Sequence, residues 1–410
     1  MSWSRNIPRL VKRSIIPAII VFVSCMVCFP SAVYEASKLG LNAWWNIVFP
    51  ALLPFFVSSE LLMSYGVIQF MGVILEPVMR PLFNLPGAAS FVIAVGYTSG
   101  FPISAALAAR LRKDRICTRN EAERLMCFTN NSSPLFMLVA VGVGMFRNPR
   151  LGGLIALAHY AANLLIGLAL RFYKPNEPGF LAGCSSRSGL FGRAVAEMQK
   201  AWRANPRPFG KVISDAISSS VNKLLVIGGF VIIFSIIIRI SEITGLLALI
   251  SHTIGLLAVP LGFSRLTIDA LSRGFFEITL GTKSATEASV PLSQKLAAAS
   301  LILGWSGISV FAQVAAMISD TDMKMGLFTV CRFVHSALAG LICYLLANNI
   351  TVRDWLAAPV TTELSAQNSI SWLITLFMSS RFLSGAILAW FVISAVVYLI
   401  RSFSVVRFRI

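Results

Sequence analysis

Charge is what this sequence has least of. Asp, Glu, Lys and Arg together supply 13% of the 410 residues, about half of the ~25% usual in a soluble domain. Hydrophobic residues supply 56%, so polar surface is too scarce to cover a globule of this length, and the apolar excess must face lipid. Acidic residues are the scarcer sign, 17 against 35 basic ones, for a formal charge of +18. Zinc-finger spacing, basic residues interleaved with aromatics and a soluble domain to carry them are all missing, which argues against nucleic acid as the partner of that charge. Catalytic signatures are missing too: no Ser/His/Asp elbow, no HExxH, no paired carboxylates in one segment and no phosphate-binding loop. The chain therefore reads as a non-enzyme, and not as an ATP-driven pump. Cys25 and Cys28 spell CxxC inside an apolar run, with no second pair and no redox-fold context, so they read as helix-packing residues. Neither a disulfide framework, a metal nor a cofactor is expected.

What is present is a series of apolar runs, several reaching the ~20 residues a helix needs to cross ~30 Å of hydrocarbon. The fold class expected is an all-α polytopic membrane protein. Arg5, Arg9, Lys12 and Arg13 precede an apolar run at 15–29 and imitate a secretory signal. No small-x-small cleavage site follows cleanly, so the run reads as an uncleaved first helix. Next come a span at 44–65 holding Pro50, Pro54 and Glu60, and an interfacial segment at 67–79 too short to cross. The apolar run 87–111 is broken at its centre by GYTSGFPIS, the pattern of a re-entrant hairpin. A span at 121–146 is interrupted by Asn130, Asn131, Ser132, Ser133 and Pro134, and 151–172 is an ordinary span. The hydrophilic stretch 173–211 joins two halves.

The second half restates this order: a long span at 214–240, a weaker segment at 246–261, a broken hairpin at 266–282 containing GFFEITLGT, a span at 292–318 broken by Gly304, Trp305, Ser306 and Gly307, and a plain span at 326–346. A shift of 173 positions superposes Ser133 on Ser306, Gly153 on Gly326, Leu154 on Leu327 and Gly167 on Gly340. A last helix is expected at 383–400, before Arg401, Arg407 and Arg409. With a cytoplasmic N-terminus, the loop around Arg112, the 173–211 linker and the C-terminal arginines all fall inside. Three full crossings per half make the second half enter inverted. Arg147, Arg150, Arg265, Arg273 and Lys283 then lie outside or buried, so the positive-inside rule is obeyed only in bulk. Inverted repeats with broken helices are the mark of secondary transporters, whose sites form at the midplane.

At GYTSGFPISAALAARL (96–111), NNSSPLF (130–136) and GFFEITLGT (274–282) the sequence resembles the sporulation integral membrane protein YlbJ family, whose members contain the nucleoside-recognition Gate module. The resemblance covers residues 44–346. It implies transport of dipicolinic acid across the outer forespore membrane during sporulation, and a fold similar to concentrative nucleoside transporters. Members commonly read NNSGP where this chain has NNSSP, and the GYPxG-like hairpin is altered to GYTSGFP. The organisation expected from the pass along the chain is 1–43, an N-terminal helix and external loop; 44–172, a first Gate-like repeat; 173–212, a basic cytoplasmic linker; 213–347, a second, inverted Gate-like repeat; and 348–410, a C-terminal helix and basic tail. The partners expected are the bilayer and a small anionic solute, with homo-oligomerisation left open. A nucleoside transporter and a non-transporting spore-envelope assembly factor are the alternative readings.

The candidate substrate contacts follow from the breaks. Gly96, Thr98, Ser99 and Gly100 form the first hairpin tip, where glycine frees backbone N–H groups; a plain packing turn is the alternative. Asn130, Asn131, Ser132 and Ser133 are four polar side chains in a row in an apolar segment, which need partners there. Half-helix N-termini suit carboxylates. Glu277 is an intramembrane carboxylate that binds a coupling ion or pairs with Arg273 or Lys283, and an ionised Glu277 would repel a dianion. Thr279, Gly281 and Thr282 supply neutral donors beside it. Ser306 mirrors the Asn/Ser cluster, and the neighbouring Trp305 either stacks on a substrate ring or simply packs. Glu60, His159, Arg332 and His335 are isolated ionisable residues in or near spans.

Overall fold

Proline and small residues decide where the helices of this chain start, bend and touch. In the computed structural model, residues 9–174, 190–204 and 207–349 are described; the expected helix at 383–400, the C-terminal arginines and Arg5 lie outside them. Helix α1 (Arg9–Cys28) ends at Phe29, and Pro30 starts α2 (Pro30–Ala43) at a bend of 100°. Pro at a first helical position loses no hydrogen bond, because that N–H has no partner in the helix. The external loop expected before residue 44 is therefore corrected to a helix. It continues through a π-helical turn (Trp44–Val48) into α3 (Phe49–Ser64).

The rest follows the expected order. Helix α4 (Val67–Phe83) is followed by the first hairpin, α5 (Ala89–Ser99) and α6 (Ile103–Lys113). The first broken span is α7 (Arg119–Thr129) and a π-helix (Phe136–Met145), followed by α8 (Pro149–Leu170). The linker contains a helix that its charge count concealed, α9 (Leu190–Ala204), which packs on α4. The second half is α10 (Phe209–Ile243), α11 (Leu246–Ala258), the hairpin α12 (Arg265–Phe276) and α13 (Ile278–Glu287), the broken span α14 (Leu292–Trp305) and α15 (Gly307–Ile318), and α16 (Met325–Asn348).

Among the described residues, α8, α10, the α14–α15 pair and α16 are long and apolar enough to cross a membrane, and the bent α1–α2 pair makes a fifth candidate. Large apolar side chains stand exposed on their outer faces, among them Leu157, Leu165, Val226, Phe333 and Leu345. In a soluble protein a band of this size would be an aggregation surface; on these helices it faces lipid. The chain is an integral, multi-pass membrane protein.

Small residues bring the inner helices close, as they must where lipid removes the hydrophobic drive for helix association. A Cβ on Gly304 would sit 2.6 Å from the Ser336 backbone, so α14 and α16 touch main chain to main chain. Gly228 on α10 is covered by the Trp44 ring, whose Nε1 donates to the Leu224 carbonyl at 2.9 Å.

The two halves are inverted relative to one another. Along α8 and α16, His159 meets His335 (ring centroids 4.3 Å) and Asn163 meets Arg332, so rising numbers on one helix meet falling numbers on the other. The connections give the same answer. Arg112 and Lys113, at the foot of the first hairpin, pair with Asp322 (2.9 Å) and Asp320 (3.2 Å) between α15 and α16. Those connections are not equivalent in the repeat, so they meet on one side only if one half is turned over.

Candidate functional site

The first hairpin turns at Gly100, whose φ of +76° suits glycine. The chain then doubles back so far that Gly96 lies against Ser104: a Cβ on Gly96 would be 2.9 Å from that of Ser104. The tip rests on the break in the next span. A Cβ on Gly100 would lie 2.9 Å from the Ser133 nitrogen, and Ser104 Oγ donates to Asn130 Oδ1 at 3.1 Å.

That break has two ends with opposite electrostatics. Helix α7 stops at Asn130, presenting carbonyls and the negative end of its dipole. Four residues later the π-helical segment begins under an N-cap: Ser133 Oγ accepts from the Phe136 N–H at 3.1 Å, and Pro134 occupies the first helical position. The positive end of that second half-helix starts at Ser133.

The second half repeats the arrangement with different residues. Glu277 is extended between α12 and α13, and its Oε2 accepts from the Leu280 N–H at 2.8 Å, capping α13. It forms no ion pair with either cation considered in the sequence. Arg273 pairs with Glu242 at 2.7 Å, and Lys283 lies 3.9 Å from Glu287. Hairpin and break again touch: a Cβ on Gly307 would lie 2.9 Å from the Phe276 carbonyl and 3.2 Å from the Glu277 Cα. Ser306 and Gly307 both have positive φ.

Between these four elements is a cavity of about 60 Å³. Ser99 and Gly100 reach it from the first hairpin, Ser132 and Ser133 from the first break, and Glu277, Ile278 and Thr279 from the second hairpin. Ser309 and Gln313 reach it from α15. Phe136 and, from α3 and α10, Leu52, Phe56, Ile227, Phe230 and Val231 close it with apolar walls. Sites for small organic ligands measure ~300–1,000 Å³, so 60 Å³ admits water and nothing larger.

Not every candidate faces that cavity. Thr98 is exposed and its hydroxyl bonds back to the Ala94 and Val95 carbonyls, because one step along a helix rotates it away from Ser99. Gly96 and Gly281 are packing positions, the latter with a would-be Cβ against Gly274. Asn130 and Asn131 are buried behind the cavity, where Asn131 Nδ2 donates to the Phe128 carbonyl at 3.1 Å. Thr282 is fully buried without a hydroxyl partner, and Ser306 bonds the Trp305 carbonyl. Trp305 packs on Phe275, with rings stacked at 5.6 Å and Nε1 donating to the Phe275 carbonyl at 3.1 Å. Glu60 pairs with Lys223. Ser309 and Gln313, which sequence reasoning missed, stand at i and i+4 on one face of α15; a lone amide in an apolar helix was the available signal.

Beyond the cavity lies a layered path. On α10, Ile227, Phe230 and Val231 line the cavity, Phe234 and Ile238 belong to an apolar layer with Ala43, Leu247, Phe276 and Leu280, and Ser235, Arg239 and Glu242 line an open vestibule of about 610 Å³. In the vestibule Glu242 receives both Arg239 (2.8 Å) and Arg273 (2.7 Å), with Lys38 and Lys283 nearby. A larger hollow of about 820 Å³ between α11 and α12 is walled partly by exposed Leu256 and Val259 and reaches neither break.

Behind the first break, Tyr160 donates to the Ser132 carbonyl at 3.1 Å and stacks on Tyr97, which accepts from Asn163 Nδ2 at 3.0 Å. Asn163 also bonds the Phe128 carbonyl, and 173 positions later Ser336 Oγ donates to the Leu301 carbonyl at 2.6 Å. Gly167 receives the ring of Phe128, and Gly340 the side chain of Leu301. The register read from sparse identities is thus the register of the packing.

A family model described as Gate, nucleoside recognition, matches residues 46–149, which include the first hairpin and the first break. The sporulation integral membrane protein YlbJ of Bacillus subtilis (strain 168) is 45% identical to this chain over 323 residues, covering 78% of this chain and 79% of that protein. Among solved structures, CNTnw in an inward-facing substrate-bound state aligns over 82% of this chain and 84% of that one, with 14% identity and a TM-score of 0.42. An intermediate state of the same protein aligns over 83% and 87%, with 13% identity and a TM-score of 0.42.

Proposed function

The chain belongs to the sporulation integral membrane protein YlbJ family, and from that premise we propose that it is a secondary transporter or facilitator for a small anionic aromatic, dipicolinic acid, in the outer forespore membrane of a sporulating cell. One observation carries the reading: two hairpin tips and the two broken spans of oppositely oriented halves converge on one small cavity. Broken helices turn backbone dipoles toward the midplane. Here the positive end of the half-helix capped by Ser133, with the Ser99 and Ser132 hydroxyls, makes one face suited to a carboxylate. The apolar walls from Phe56, Phe136 and Phe230 suit a flat ring. Glu277, on the opposite face, repels a dianion while ionised, so the carboxylates of the solute belong at the Ser132–Ser133 face.

Transport by alternating access requires the second hairpin to leave the apolar layer at Phe234 and Leu280, opening the cavity to the vestibule. The first hairpin must open the other way, past the foot formed by Arg112 and Lys113.

The test is uptake of labelled dipicolinate into vesicles containing the purified, correctly inserted protein. Uptake above that of empty vesicles supports the reading, and its absence overturns it. A second reading, transport of nucleosides, is favoured by the match of residues 46–149 to a nucleoside-recognition model. Inhibition of uptake by nucleosides but not by pyridine dicarboxylates would replace the first reading by the second.

A further inference from the structure

Arg332 lies on α16, in the second half, yet its guanidinium is spent on the first. It is fully buried. Nη2 donates to the Cys127 carbonyl at 2.9 Å and reaches Asn163 Oδ1 at 3.4 Å, while Nη1 donates to the Asn130 carbonyl at 3.1 Å. The flat face covers Phe328 at 5.5 Å. Every one of these partners is neutral, and among the described residues no carboxylate lies within 4.0 Å of it. A buried cation without a counter-charge is costly and rarely kept without a reason.

Its local compensation is the end of α7. The carbonyls it holds are the last of that helix, where the dipole supplies roughly half a negative charge. A net positive charge therefore remains behind the break. Two and three residues beyond Asn130, Ser132 and Ser133 form part of the cavity wall. At the same place Arg332 Nε, Asn130 Nδ2 and Ser132 Oγ are buried with no partner in the protein. The corresponding position of the first half, 173 residues earlier, is His159, so the arginine has no permanently charged counterpart at the equivalent position.

We infer that Arg332 determines the preference of the cavity for an anion. It is a positioning residue as well, since it fixes the carbonyls that turn the chain at Asn130, but its charge is what distinguishes a carboxylate from a neutral group at Ser132 and Ser133. With Glu277 held on the N-terminus of α13 across the cavity, the two charges orient a bound dicarboxylate with its acid groups toward the first half. This inference rests on the reading that the cargo is a dicarboxylate.

The experiment compares uptake of dipicolinate with that of pyridine-2,6-dicarboxamide, a neutral solute of nearly the same shape, by the full-length protein in vesicles. The unaltered protein is expected to prefer the dianion. In Arg332→Gln that preference falls about tenfold, the order expected of one charge acting over ~10 Å at an effective dielectric constant of ~20, while uptake of the dicarboxamide persists. Arg332→Lys, which keeps the charge but not the fork that grips two carbonyls, retains the preference at a lower rate. If Arg332→Gln fails to insert, the lysine variant still decides, and loss of the preference there overturns the inference. So does an equal loss of both solutes in the glutamine variant, which is what a purely structural arginine would produce. If the unaltered protein moves neither solute, it is the transport reading that fails.

Discussion

Asn163 and Ser336 do the same work in opposite halves: each donates to a main-chain carbonyl, Phe128 and Leu301 respectively, just before the helix that carries it breaks. The amide of Asn163 is the busier of the two. It also donates to Tyr97 and accepts from Arg332. Asn163→Leu should therefore lower stability by about 1–3 kcal/mol, and Ser336→Ala by ~1 kcal/mol. Thermal unfolding in detergent measures both, and equal losses would show that the first break depends no more on its buried amide than the second does on its hydroxyl.

Gly100 and Gly307 join each hairpin to its break. Both have positive φ, and a Cβ on either would meet main-chain atoms at 2.9 Å. Alanine at either position should cost about 1–3 kcal/mol and sharply reduce uptake by prising the hairpin from the break. Gly153→Ala, with nothing within 4 Å of the added carbon, is the control and should behave as the unaltered protein.

Glu277 combines a cap with a charge. Glu277→Gln keeps an oxygen for the Leu280 N–H while removing the charge, and should lower the half-saturating concentration of dipicolinate. Glu277→Ala loses the cap as well, at about 0.5–2 kcal/mol. Unchanged half-saturation in the glutamine variant would mean that the carboxyl is already uncharged when the solute binds.

The apolar layer at Phe234 and Leu280 predicts a sharp boundary in accessibility. In sealed vesicles, a charged membrane-impermeant thiol reagent should label Arg239→Cys rapidly and Val231→Cys slowly. Leu280→Ala should raise labelling at Val231→Cys, because the layer loses one of its six buried members. Equal labelling of the two cysteines before that change would abolish the layer as a barrier.

Outside the membrane, Asp322 is held below the usual carboxylate range by its hydrogen bonds from Arg112, two at 2.9 Å. The sign follows from the depressed folded value. The pair contributes fully above the unfolded carboxyl pKa of ~3.9, and its contribution disappears as pH falls through the lower folded value. Asp322 is half exposed, so the contribution is ~1 kcal/mol or less. Asp322→Asn should match the unaltered protein in acid and melt slightly lower at pH 7.

Much of this architecture is legible in the sequence. GYTSGFPIS, NNSSP, GFFEITLGT and GWSG place glycine, proline and adjacent polar groups inside apolar runs, where an unbroken helix gains nothing from them. The structure breaks at all four. What was hidden has local causes. Residues 30–43 carry Glu35 and Lys38 and are too short to span, so their helix is invisible to a search for apolar length; its charges line the vestibule. Helix α9 was masked by its basic residues, although Ala194 and Ala201 recur on the face that packs near Gly66. Thr98 and Ser99 differ only by one step of helical rotation, which composition cannot register. Arg332 reads as isolated in the sequence because all its hydrogen-bond partners lie some 170–205 residues away.

That last separation bears on how the protein is made. The carbonyl of Asn130 waits for a donor 202 residues further along the chain. During synthesis, α7 and its break are inserted long before α16 leaves the ribosome, so the first half must reside in the bilayer with one helix end unsatisfied. The contacts between its hairpin and the break come from the first half alone, Ser104 on Asn130 among them, but the guanidinium that closes the helix end comes only with the second. A chain stopped in the 173–211 linker would remain in that unfinished condition. Assembly of the two halves is thus a matter of timing as well as of shape.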